Sequence, residues 1–445
     1  MPTLLADWHY RPLHRRVWAL AGPMILSNLT VPLVTLVDSA IAGHLPNAHD
    51  LGAVAVGGSV YTAMVGVLGF LRMGTTGFTA QASGRADGSA LRQILLQALL
   101  LAFGLAFGLM VLSWFFLGPL LGLMKASPEL AITTEAFFNL RLLGLPAALA
   151  SYALIGWLLG TQNARAPLAM LVATNLINLG LEVLFVFGFG WGVKGIAAAT
   201  ALAEWCGAGL GLWLAWATLK QQAGTLHVKA LKYWQAWRPL LSVNRDIFIR
   251  SLVLQSVFFL MTVQGTRLGE STVAANALLL NGLMLTSFAL DGLAHAVEAL
   301  TGHAIGARDR TTLRRAMVIA SGWSFLASLG FALLFAMGGS LFIDLQTNIS
   351  SVRLEAYAYL PYLAALPVIA MASYLLDGLF IGATRAREMR NAMVIAAALA
   401  FPIGLLLQGL GNHGLWLAFL CFMALRGLVL GIQAWKMTQH NVWIP

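Results

Sequence analysis

Six carboxylic acids fall inside long apolar stretches of this chain: Asp38, Glu182, Glu204, Asp291, Glu298 and Asp377. If such a stretch crosses a bilayer, a charge in it costs about 3 kcal/mol or more unless it meets a partner or water, so acids there mark ion and substrate pathways. Asp38 is the one acid in AGPMILSNLTVPLVTLVDSAIAGH, residues 21–44, which also holds Pro23 and Pro32. A proline inside a helix removes a backbone hydrogen bond and crowds the preceding turn, so a bend is expected, with Pro23 the candidate bend residue. An acid that binds and releases a proton beside such a bend could drive a change of shape.

Asn178 and Glu182 are four residues apart and share one face of a helix, with Asn175 a turn behind them. Amides and an acid together in an apolar segment suit a solvated pocket or a cation site; the plainer reading is a hydrogen-bond cluster between helices. Asp291 and Glu298, seven apart, also share a face, and His295 between them could pair with Asp291. Other chemistries lack their residues. There is no GxxxxGK[ST] for ATP, and GFGWGVKG (188–195) follows an apolar segment rather than opening a βαβ unit, so it reads as a turn. No Ser-His-Asp or His/Cys metal spacing occurs, so neither catalytic residues, a metal nor an organic cofactor is expected, and Cys206 and Cys421 read as packing residues.

The elements that must hold these acids follow from composition. The 445 residues are 59% hydrophobic and 10% charged, with mean hydropathy +0.80, whereas soluble domains carry roughly a quarter charged residues. Apolar segments recur throughout, so the fold class is an all-α polytopic membrane protein; a β-barrel would show short alternating strands. Twelve spans are expected at 16–43, 53–73, 92–118, 132–159, 166–188, 195–218, 240–266, 274–302, 313–342, 354–381, 390–410 and 414–436. Nineteen Lys and Arg fall on the side of both termini and four on the other, with Arg72, Arg141, Arg250 and Arg426 in or at the ends of spans. That asymmetry places both termini and the long central loop in the cytoplasm. The net charge of +10 is therefore a topology signal and implies no nucleic-acid partner. The first span is expected to be retained, with no signal peptide removed.

An internal repeat organises the spans. A shift of 222 positions carries GRADGSALRQ (84–93) onto GARDRTTLRR (306–315) and SYALIGWLLGTQNAR (151–165) onto SYLLDGLFIGATRAR (373–387), and Gly192 onto Gly414. Each half holds six spans, so the repeat is parallel; residues 1–219 form an N-lobe, 220–239 a linker and 240–445 a C-lobe. Two such lobes are expected to enclose a central cavity and to alternate its access by rocking. The acids break the symmetry: Asp291 corresponds to Gly69, Glu298 to Thr76, Asp377 to Ile155, Glu182 to Gly404 and Glu204 to Arg426.

At PMILSNLTVPLVTLVDSAIAGHL, LRMGTTGFTAQASG, GWLLGTQNARAPL, NRDIFIRSLVLQ, FALDGLAHAVEALTGHAIGARD and YLLDGLFIGATRAREMRNAM the chain resembles the multidrug and toxic compound extrusion (MATE) transporters, in their bacterial DinF branch. The resemblance covers nearly the whole chain. It implies two six-helix lobes and cation-coupled export of amphipathic, often cationic compounds. The family's first-helix proline and aspartate match Pro23 and Asp38, and its N-lobe polar cluster matches Asn178 and Thr200, with Glu182 where relatives usually carry aspartate. Family-like acids of the C-lobe fall at Asp291, Glu298 and Asp377, a secondary polar set for substrate or coupling. Gln255 stands about where other branches have a glutamate, which argues against a C-lobe sodium site of that kind.

The expected function is proton-coupled antiport by a monomer in the lipid bilayer, acting on small amphipathic molecules. Asp38, Glu182, Asn178 and Thr200 would form the coupling site and H+ would be the coupling ion. Two alternatives stand beside it: Na+ at the same site, and a lipid or lipid-linked-precursor flippase. The flippase would be expected to show a basic cavity, which a chain with six acids and few basic residues in its spans does not suggest.

Overall fold

The computed structural model describes residues 4–45 and 47–444, and nearly all of these are helical. After a short helix α1 (Leu4–Trp8) comes α2 (Arg11–Gly43), which runs as one helix through Pro23 and Pro32. Its 33 residues reach about 50 Å, enough to cross a bilayer. Then follow α3 (Ala48–Gly66), α4 (Phe70–Gly84), α5 (Gly88–Leu123), α6 (Pro128–Leu142), α7 (Leu145–Gly160), α8 (Arg165–Glu182) and α9 (Gly192–Lys220). The second half has α10 (Trp234–Leu268), α11 (Glu270–Gly306), α12 (Arg310–Asp344), α13 (Ser350–Gly382), α14 (Ala386–Leu406) and α15 (Asn412–Gln439).

Apart from α2, ten segments among the described residues are long and apolar enough to span, and α6 with α7 makes an eleventh that is bent by 45°. The expected span 132–159 is therefore two helices, because Gly144 at the break lies against Ala201 and Glu204 and Pro146 opens the helix after it. The expected span 53–73 continues to Gly84, with a 3-10 turn at Val67–Gly69 between α3 and α4. Its polar extension is held inside the protein, where Thr75, Thr76 and Thr79 are buried. Faces that sequence alone leaves unassigned are exposed and apolar, as on α5, where Phe107, Trp114 and Phe115 are 60%, 79% and 73% exposed. In a bilayer such a face meets lipid. Cys206 is exposed on α9 and Cys421 is half-buried; both are free thiols.

The chain divides into two compact units, Leu26–Leu240 and Met1–Ile25 with Leu241–Pro445. One boundary lies inside α2, two residues beyond Pro23, where the sequence suggests no division. In the first unit, Ile41, Ala53, Val54, Phe137, Ile196 and Ala197 form an apolar core. In the second, Met261, Leu283, Phe335, Leu363, Trp416 and Phe422 belong to a larger one.

The repeat is visible in backbone geometry at the same shift. Ala86 and Arg308 both have positive φ, 53° and 57°, as do Gln162 and Thr384, 62° and 55°. Each closes a helix by one pattern: the amides of Asp87, Asp309, Asn163 and Arg385 donate to the carbonyls of Ala82, Ala304, Leu158 and Phe380, five residues back. Helix crossings repeat too. Gly156 and Gly160 of α7 lie against the carbonyls of Arg72 and Thr76, while Gly378 and Gly382 of α13 lie against those of Ala294 and Glu298. A side chain at any of the four would run into backbone, which explains why glycine stands there.

Candidate functional site

Within the unit Leu26–Leu240, α8 carries Asn178 and Glu182 on one face, and both side chains are buried, 3% and 0% exposed. Helical spacing alone brings Asn178 Nδ2 to Glu182 Oε1 at 2.9 Å. The same amide nitrogen approaches Asp38 Oδ1 of α2 at 3.4 Å. The carboxyl groups of Asp38 and Glu182 are themselves within hydrogen-bonding contact, and Glu182 also touches the Thr200 hydroxyl of α9. Thr200 Oγ1 donates its proton to Ile196 O at 2.9 Å, so a lone pair is what it offers Glu182. Directly after Glu182 the helix widens into a π-helical turn, Val183–Gly188, a distortion that frequently accompanies functional sites.

The chemistry of this cluster is set by its oxygens. Two carboxyl groups in contact are held together by a proton between them or by a cation bound to both. Asn178 Oδ1 and Glu182 Oε2 are buried with no hydrogen-bond partner, so the cluster has acceptor capacity to spare. A cleft of about 260 Å3 lined by Thr30, Val37, Asn175, Asn178 and Leu179 adjoins it. Among the described residues no group of three or more His, Cys, Asp or Glu is arranged to hold a metal ion.

The sequence-derived N-lobe residues Asp38, Asn178, Glu182 and Thr200 are thus together in one cluster. Glu204 is separate and fully paired: Arg141 Nη1 and Nη2 donate to its two oxygens, both at 2.8 Å, and the guanidinium lies 4.0 Å above the Tyr61 ring. Arg141 interacts with Asp38 only through its field. Pro23 falls in the other compact unit.

In that other unit, Asp377 of α13 accepts from Arg250 of α10 and Arg426 of α15, and all three are buried. Sequence reasoning placed Arg141, Arg250 and Arg426 within or at the ends of spans; Arg250 and Arg426 are buried and Arg141 is half-buried, so the picture of spans with few basic groups is corrected here. Their signal was present, since Glu204 and Arg426 occupy corresponding repeat positions with opposite charge. Asp291 is half-buried and acts electrostatically on Tyr374, whose hydroxyl is 2.5 Å from Ser287 Oγ. His295 and Glu298 are buried on α11. None of these acids lines the apolar cleft of about 320 Å3 between α10, α14 and α15, which Met261, Gln264, Phe401, Gln408 and Phe419 help to form. Gln255 is exposed on α10.

Comparison with known proteins follows the repeat. The MatE family model matches residues 23–184 and again 247–406, one match in each half. The chain belongs to the MatE family. Among MatE relatives, the DNA damage-inducible protein F of Escherichia coli K12 is 42% identical over 430 residues, 96% of this chain and 94% of that one. The multidrug resistance protein PmpM of Pseudomonas aeruginosa is 26% identical, covering 94% and 88%. A solved structure described as MATE in the bent conformation superposes with a TM-score of 0.85 at 19% identity over 97% of both chains, which establishes the MatE fold of twelve transmembrane helices. MatE proteins are membrane transporters rather than enzymes.

Proposed function

We propose that this MatE transporter exports amphipathic, often cationic organic compounds in exchange for protons across a bacterial plasma membrane. The observation that carries the reading is the contact between Asp38 and Glu182 around the shared amide of Asn178. With a proton between them the two carboxyl groups close on each other. When the proton leaves, the pair carries like charges in a water-poor site, and an organic cation or an opening of the cluster relieves them. Proton and substrate then bias one equilibrium in opposite directions, and coupling needs no ATP. Pro23 leaves α2 short of one backbone hydrogen bond and gives the helix a place to bend as Asp38 changes charge.

Both termini and the arginine-rich loops lie in the cytoplasm in this reading, supported by nineteen basic residues against four. The apolar cleft with Gln264 and Gln408 suits substrates that are mostly hydrophobic with a few polar groups. The protein works as a monomer in this reading, and no cofactor takes part.

A second reading has a specific observation in its favour. The spare oxygens of Asn178 and Glu182, with Asp38 and the Thr200 lone pair, would also accept a hard cation such as Na+. Proteoliposomes loaded with substrate and given separate gradients distinguish the two. Export driven by a proton gradient in sodium-free buffer supports proton coupling; export driven only by a sodium gradient at constant pH overturns it.

A further inference from the structure

A second cleft of the unit containing Leu241–Pro445 has none of the acids considered above in its lining. It measures about 620 Å3, within the roughly 300–1,000 Å3 of typical ligand pockets. It lies where α12 begins and α13 and α15 end, at the loop-arginine end of three segments long enough to span a membrane. Arg310 and Arg314 stand on one wall, Leu376 and Leu379 on another, and Trp435 on a third. The last turn of the chain closes it: Trp443 packs edge-on against Phe380 at 5.5 Å and donates through Nε1 to Thr438 Oγ1 at 2.9 Å, and Ile444 is buried.

Among the described residues around the cleft, Arg310, Arg314 and Arg315 outnumber the acids Asp7 and Asp309. Asp7 meets Arg314 through both oxygens, at 2.8 Å from Nε and 3.2 Å from Nη2, and Arg315 at 3.3 Å, so one carboxylate serves two guanidiniums. The Asp309 carboxylate is spent on the amides of Thr311 and Thr312 and the Thr312 hydroxyl. Among the described residues, the hydrogen-bond partner of Arg310 is the Asn441 amide oxygen, at a long 3.5 Å.

The other half of the repeat shows what such a place requires. Arg92, the counterpart of Arg314, donates to the backbone carbonyls of Gly88, Leu219 and Gln222, each at 2.9 Å. The linker then covers the spot, with the Thr225 amide on Ser89 Oγ at 3.0 Å and the Ala223 carbonyl against Gly88. There the acceptors come from the chain itself. In the second half the corresponding space is an open cleft and the corresponding arginine shares a single acid.

We propose that this cleft is a binding site for an anionic phospholipid, with its phosphate between Arg310 and Arg314 and an acyl chain along Leu376, Leu379 and Trp435. A basic pocket between helix ends, floored by aliphatic side chains and flanked by tryptophans, matches the phosphate, the chain and the interfacial depth of such a lipid. A neutral phospholipid satisfies only the apolar half of the site, and inorganic phosphate only the basic half.

Native mass spectrometry of the full-length protein titrated separately with phosphatidylglycerol, phosphatidylcholine and inorganic phosphate tests this. Phosphatidylglycerol is expected to bind at least about fivefold more tightly than phosphatidylcholine, and millimolar phosphate should not displace it. Arg310→Glu should remove the preference for the anionic lipid. Thr438→Trp, which fills the cleft without altering charge, should weaken both lipids. Both positions are exposed, so monodispersity and helix content of the variants should match the parent. Equal affinity for the two lipids, an unchanged preference in Arg310→Glu, or displacement by inorganic phosphate would each overturn the proposal.

Discussion

Asp38 of α2 and Glu182 of α8 meet around a single donor, the side-chain amide of Asn178, which lies 3.4 Å from one carboxyl group and 2.9 Å from the other. Asp38 is half-buried while Glu182 is fully buried, so Asp38 is the more accessible of the two to solvent. The expected roles therefore differ: Asp38 exchanges the proton and Glu182 stores it.

Replacing Asn178 by leucine removes the shared donor and leaves the half-buried Asp38 and the buried Glu182 without it. Loss of a partner to a buried polar group costs about 1–3 kcal/mol, so the melting temperature should fall. Transport should lose its pH dependence before it loses substrate binding. Thermal unfolding in detergent, run beside a substrate-binding titration at several pH values, reads both effects. Unchanged pH dependence would remove Asn178 from the coupling cluster.

Arg141 and Glu204 are expected to be structural. Breaking a fully buried pair from one side costs about 3–5 kcal/mol, and the half-buried Arg141–Glu204 pair should cost less, whereas replacing both partners with apolar residues of similar volume is close to neutral. Glu204→Leu alone should sharply destabilise the protein, and Arg141→Met with Glu204→Leu should restore most of the loss. A double-mutant cycle on melting curves measures this. If the double variant were stable yet unable to transport, the pair would have a coupling role through the field of Arg141 on Asp38.

The helix crossings give a symmetric prediction. Gly156→Ala and Gly378→Ala each drive a methyl group toward a backbone carbonyl, Arg72 O in one half and Ala294 O in the other. Overpacking of this kind costs about 1–3 kcal/mol, and the two losses should be similar because the contacts correspond. A large difference in melting temperature between the two variants would contradict the equivalence of these crossings.

Asp309 supplies a pH-dependent contribution outside the spans. The Thr312 hydroxyl and amide, with the Thr311 amide and the charge of Arg315, hold its carboxyl below the ordinary value of 3.8. Its stabilisation is therefore complete above pH 3.8 and is lost as pH falls through the lower folded value. Asp309→Ala should melt earlier than the parent at neutral pH, and the difference should shrink as pH falls below 3.8. A difference that stayed constant down to pH 2 would show that the cap acts without its charge.

Much of this was legible in the sequence because membranes and repeats write long-range patterns. The 222-residue shift found in GRADGSALRQ and SYALIGWLLGTQNAR reappears as matched positive-φ residues at Ala86 and Arg308, and at Gln162 and Thr384. The grouping of Asn178 with Glu182 follows from helical spacing alone. What could not be read was which helix each acid faces. Glu204 and Asp377 looked like members of pathways, and their partners Arg141, Arg250 and Arg426 sit on other helices whose rotation no spacing specifies. The break between α6 and α7 was hidden for the same reason, since it depends on Gly144 lying against α9. The split inside α2 is a property of packing, and hydropathy shows only one continuous apolar run.

The central claim is that substrate and proton compete for the Asp38–Glu182 pair. The direct measurement is proton release on adding an organic cation, such as a rhodamine dye, to purified protein in weakly buffered detergent with a pH indicator. The account predicts release from the parent that saturates with substrate binding, and none from Asp38→Asn even though the dye still binds. Full proton release from Asp38→Asn, or saturating binding to the parent with no proton released, would contradict it.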